Sequence, residues 1–113
     1  MSGSMQDIVL AHVDRGNMQP RDIKPILDEA SEIIDHLPDE HARARRQLAM
    51  DRALKGAYGT ILFSHHGVLV GLICYDVAGD ESQLVFGHVL RKHEDKKADA
   101  FGMAVRELEK KYR

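Results

Sequence analysis

Residues 57–63 and 68–77 are two apolar runs split by Ser64-His65-His66-Gly67, and no other part of the chain restricts the fold as much. A short polar link with a glycine between β-rich runs predicts a hairpin. Both runs are nearly continuous in apolar residues instead of alternating, so both faces of the hairpin need cover. That cover must come from one domain, because the chain has only 113 residues. Its 43% hydrophobic and 30% charged content is enough for a modest core and argues against wholesale disorder.

The clearest covering element is a helix over residues 22–37. Ile23, Ile26, Leu27, Ala30, Ile33, Ile34 and Leu37 trace one face of a 3.6-residue period. Asp22 is placed to cap it, and Pro25 then falls in the first turn, where amides have no intrahelical partner. Pro38 ends this helix and is expected to open the next, over residues 39–54, with Asp39 and Glu40 at its positive end. The second helix has a thin apolar face of Ala42, Ala49 and Ala53, with Leu48 and Leu54 beside it. Arg43, Arg45, Arg46, Arg52 and Lys55 make it basic, and Gly56 is a natural stop.

A strand is expected at residues 7–13, ahead of turn residues at 14–17. Another follows Gly79-Asp80-Glu81, at residues 84–90. The chain closes with a helix near residues 94–112, whose buried stripe is read as Ala98, Phe101, Val105 and Leu108. The order is β-α-α-β-β-β-α, so the fold class is α/β (α+β), an antiparallel sheet with helices packed on it. Residues 1–5 read as a tag scar or disordered start, leaving 6–113 as a single domain.

Several function classes are set aside. No apolar run approaches the ~18 residues of a membrane-crossing helix. The first residues lack the basic flank and apolar stretch of a secretory signal. Cys74 is the one cysteine, so no intrachain disulfide forms, and a reducing, cytoplasmic setting is expected. It alternates within an apolar run and reads as an inert core residue. A net charge of −2 gives no general attraction to nucleic acid or membrane, and neither is expected as a partner. There is no Gly-x-Ser-x-Gly, phosphate-loop or Cys-x-x-Cys motif. His65 and His66 adjoin in a turn, and adjacent strand residues point to opposite faces, which argues against shared ligation. His36 and His41 lack the four-residue spacing of a helical ligand pair, and no metal is expected.

The element order, the entry Gln19-Pro20-Arg21-Asp22-Ile23 and the hairpin run from Gly59 to Gly71 resemble the front half of the GNAT acetyltransferase fold. That resemblance implies acetyl-CoA as cofactor, held between the last strand and the following helix by Val89, Leu90, Arg91, Lys96 and Lys97. It also implies a general base on the last strand, where His88 stands. Gly87 beside it would mark the β-bulge that opens that strand. The competing and preferred reading of His88 is a histidine at the sheet rim satisfied by hydrogen bonds.

The family's Gln/Arg-x-x-Gly-x-Gly/Ala loop offers bare backbone amides to a pyrophosphate. Residues 89–99 contain no glycine, and Asp95, Lys97 and Asp99 stand where small residues belong. Glu94 and Asp95 would repel phosphate, with Lys96 and Lys97 as partial compensation. The family also continues past this helix, whereas this chain stops at Arg113. The 84–90 strand is therefore expected to be a sheet edge, through which two copies associate.

The expected function is a degenerate, non-catalytic GNAT-like scaffold that binds protein and holds no cofactor. Arg43, Arg45, Arg46 and Arg52 would meet an acidic partner. The alternative is an active acetyl-CoA-dependent N-acetyltransferase completed by dimerisation. A third resemblance, of residues 56–67 to the first hairpin of roadblock- or longin-like regulatory domains, ranks lower. Those domains place a helix after that hairpin, and here a strand follows.

Overall fold

The structure is a computed structural model that describes residues 8–14, 20–56 and 58–111. The readings of residues 1–5, of the turn at 15–17 and of Asp22 as a cap fall outside the described residues and side chains. The elements are β1 (Ile8–Asp14), α1 (Pro20–Asp35), α2 (Glu40–Gly56), β2 (Gly59–His65), β3 (Val68–Ala78), β4 (Glu81–Val89), a 3-10 segment (Arg91–Lys96) and α3 (Lys97–Lys111). The expected α+β class and the order β-α-α-β-β-β-α are both present.

The four strands form one antiparallel sheet in chain order, so β1 and β4 are its edges. β2 and β3 meet at His65↔Val68 around a two-residue turn, His66-Gly67, with φ of 52° and 80°. Two consecutive positive φ angles match the right-handed twist of the flanking strands. Glycine takes such an angle freely, and His is among the few other residues seen there.

The interior strands are covered on both sides, as their unbroken apolar runs require. One face packs Ile61, Phe63, Val70, Ile73 and Tyr75 against Ala100, Ala104 and Leu108 of α3. The other packs Leu72 and Cys74 against Ile23, Ile26 and Ala53 of α1 and α2. Each buried Ile or Phe contributes roughly 1.5–3 kcal/mol relative to exposure.

Three expectations about the helices change. α1 starts at Pro20 and not Asp22, so Pro20 takes the tolerated first position and Pro25 lies a turn deeper. There it leaves the Arg21 carbonyl without its i+4 donor. α2 is capped by Asp39, whose side chain accepts from the His41 amide at 3.1 Å. Pro38 therefore precedes the cap instead of opening the helix. On α3 the buried stripe is Ala100, Ala104 and Leu108, with Phe101 and Met103 partly covered. Ala98 is exposed and Val105 is 39% exposed. The stripe is rotated because alanines spaced by four let the helix settle close over the bulky side chains of β2 and β3.

Candidate functional site

The features that resemble a site gather where β4 leaves the sheet. α1 holds Glu29 opposite the end of β4 because Ala30 and its apolar neighbours fix the helix rotation. His88 pairs with Leu72 across the β3–β4 ladder, which aims its side chain at the α1–α2 side. The His88 imidazole Nε2 lies 2.8 Å from Glu29 Oε1. The same oxygen accepts the Arg91 backbone amide at 2.8 Å. The Arg91 guanidinium adds contacts of 3.7 Å to Glu29 and 3.4 Å to Glu32. The two side chains at the centre are largely withdrawn from solvent, His88 at 14% and Glu29 at 20% exposure.

Desolvation alone would raise the Glu29 pKa. The His88 hydrogen bond, the Arg91 amide and the charges of both residues outweigh it, so the carboxyl sits below its ordinary 4.5. Glu29 is thus held as a carboxylate at the mouth of the crossover. Burial, reinforced by the Asp76 charge and partly opposed by the Thr60 hydrogen bond, pushes the Cys74 thiol up. Its sulfur packs 3.6 Å from the Thr60 hydroxyl, deep in the sheet.

The remaining expected cofactor residues are spread rather than convergent. Val89 and Leu90 are buried in the core. Lys96 contacts Asp95 at 3.3 Å, and the Lys97 ammonium stands 6.0 Å from the Phe101 ring. The crossover amides of His93 and Lys97 donate to the carbonyls of Leu90 and Glu94, inside the 3-10 segment. Gly87 does not mark a bulge: it pairs regularly with Ile73, and a Cβ there would press on Phe101 at 3.1 Å. The register slips instead between Cys74 and Tyr75, leaving Val85 as the extra residue on β4.

The basic residues of α2 separate by role. Arg43 donates to the Leu37 carbonyl at 2.6 Å and closes the corner between α1 and α2. Arg52 contacts Asp76 of β3 at 3.3 Å. Arg45 and Arg46 are exposed and have no ion-pair partner among the described residues.

Between the helices and β4 lies a cleft of about 280 Å³, lined by Ile33 and Ile34, by Arg46 and Ala49, and by Phe86 and His88. An adjoining hollow of about 250 Å³ continues past Leu48 and Arg52 towards Gln83 and Leu84. Glu29 and the Val85–Phe86 floor were not singled out in the sequence. No spacing rule links Glu29 to residues about sixty positions away.

The imidazoles of His65 and His66 lie 4.1 Å apart, edge to face, because the turn's positive φ cancels the opposite-face rule for adjacent strand residues. Among the described residues no three His, Cys, Asp or Glu side chains converge as metal ligands. No described helix is long and apolar enough to cross a membrane. No family model matches the sequence, and no curated protein matches it.

Proposed function

We propose that this domain is a GNAT-like scaffold that works as a non-catalytic protein-binding module. One observation carries the proposal: the Glu29 carboxylate already occupies the Arg91 amide, at the crossover where an acyl-CoA loop would present free amides to a diphosphate. An incoming pyrophosphate would have to displace an anion held by two hydrogen bonds and the nearby Arg91 charge, and would meet Glu94 and Asp95 as well. The neighbouring amides of His93 and Lys97 are taken by carbonyls of the same segment. A cytoplasmic setting goes with this reading, supported by the single, buried Cys74.

A second reading is an acetyl-CoA-dependent N-acetyltransferase completed by a second copy. It is favoured by the placement of His88, which lines the cleft and is oriented by a carboxylate as a general base would be. Calorimetric titration with acetyl-CoA decides between them. The module predicts no binding tighter than about 100 µM. Tighter binding that is lost on mutating residues 91–97 would overturn it in favour of the enzyme.

A further inference from the structure

The outer side of β4 is an open edge. Among the described residues β4 pairs with β3 and with nothing beyond it. Alternate residues of such a strand turn their N–H and C=O groups outward, a template for one more strand. Alongside this edge run the two hollows between α2 and β4, which share Ala49 and Val85 and so form one continuous groove. Its lining is apolar at the floor, and Leu48 and Leu84 stand 61% and 47% exposed at its side. Its charged lining is one-sided, with Arg45, Arg46 and Arg52 against Asp76 alone. Asp76 is already engaged by Arg52.

We propose that this groove receives an extended acidic segment of another protein, which adds to β4 as a fifth strand. Its apolar side chains seat on Val85 and Phe86, and its carboxylates meet Arg45 and Arg46. The proposal deepens the protein-binding reading and rests on it.

Three features select this occupant. An extended backbone is what an open strand edge can hydrogen-bond. A groove with an apolar floor and a cationic rim matches a segment that alternates apolar and acidic residues. A second copy pairing edge to edge would bring the same arginine-rich lining to the joint, which like-charge repulsion disfavours. A nucleic-acid strand would satisfy the arginines and its bases can stack on Phe86, but it has no peptide backbone with which to continue the ladder of β4.

The test uses a fluorescein-labelled nine-residue peptide, matching the length of β4, with Glu and Val alternating. It is titrated with the full chain by fluorescence anisotropy near physiological salt. A Lys-for-Glu counterpart and a version N-methylated at alternate amides serve as comparisons. The acidic peptide should bind with a micromolar Kd, and the other two at least about tenfold more weakly. Because Arg45 and Arg46 are exposed, Arg45→Glu combined with Arg46→Glu should leave the fold intact and reverse the preference in favour of the Lys peptide.

Absence of binding, equal affinity for the two charge forms, or indifference to N-methylation would overturn the proposal. So would an oligothymidylate that displaces the peptide, or a sedimenting dimer whose formation excludes it. Acetyl-CoA binding is read separately, so failure of the non-catalytic reading and failure of the groove are distinguishable outcomes.

Discussion

α1 and α2 are consecutive helices of similar length on the same side of the sheet, yet they are held by different forces. α1 sinks Ile23 and Ile26 to 1% exposure and adds Ala30 and Ile34 along one stripe. Among its described side chains α2 buries only Met50 and Ala53, and it leaves Leu48 and Leu54 in solvent. Polar contacts add to that thin apolar seam: the Asp39 cap, the Arg43–Leu37 bond and the exposed Arg52–Asp76 pair, with Gln47–Asp51 inside the helix itself. A helix anchored by an apolar stripe has little face left to offer. One tethered by caps and surface pairs keeps its side chains available, and the groove lies beside that helix.

The contrast is most directly broken at Ile26. Ile26→Ala should cost about 2–5 kcal/mol, read as a lower urea midpoint at unchanged slope. A loss under about 1 kcal/mol would mean that α1 is not anchored by its stripe.

Next in size is the bond network that ties α1 to the exit of β4. Glu29→Gln should cost about 1–3 kcal/mol at neutral pH, because the His88 and Arg91 donors lose their anion. The effect should depend on pH with a definite sign. Glu29 has a lowered folded pKa, so the unfolded chain binds that proton more readily and stability rises with pH through the window. The contribution is complete above 4.5 and disappears as pH falls through the folded value. Denaturation series at several pH values should therefore show the variant and the parent converging in acid. A gap that stays constant down to pH 3 would remove Glu29 as its source.

Smaller again is the cap of α2. Asp39→Ala should cost about 1 kcal/mol, seen in thermal melts followed by circular dichroism. Smallest of all is Leu48→Ala on the exposed face, which should move stability by no more than about 0.5 kcal/mol. A larger loss would show that Leu48 is covered in solution, and the two helices would then be less different than they look.

Much of the scaffold was readable beforehand because its signals are local. The hairpin follows from a polar link with a glycine, and the register of α1 from a 3.6-residue stripe. α2 was harder. Met50, its largest buried side chain, lies outside any clear apolar period, so the alanine pattern concealed it. On α3 the sequence favoured large residues such as Val105 for the core, whereas the sheet selected the small Ala100 and Ala104. Periodicity gives the angular spacing of a stripe, but the depth available beneath it is set by the partner surface.

The sequence by itself determined the order of elements, the two-sided cover of β2 and β3, and the lack of glycine in the crossover after β4. These depend on residues within a few positions of one another. Only the tertiary structure decided that Glu29 would meet His88 and the Arg91 amide, that Val85 would be the extra residue opposite β3, and that a groove would open along α2. Each of those needs segments far apart in the chain to be brought to a few ångströms by packing, and no local pattern encodes such a distance.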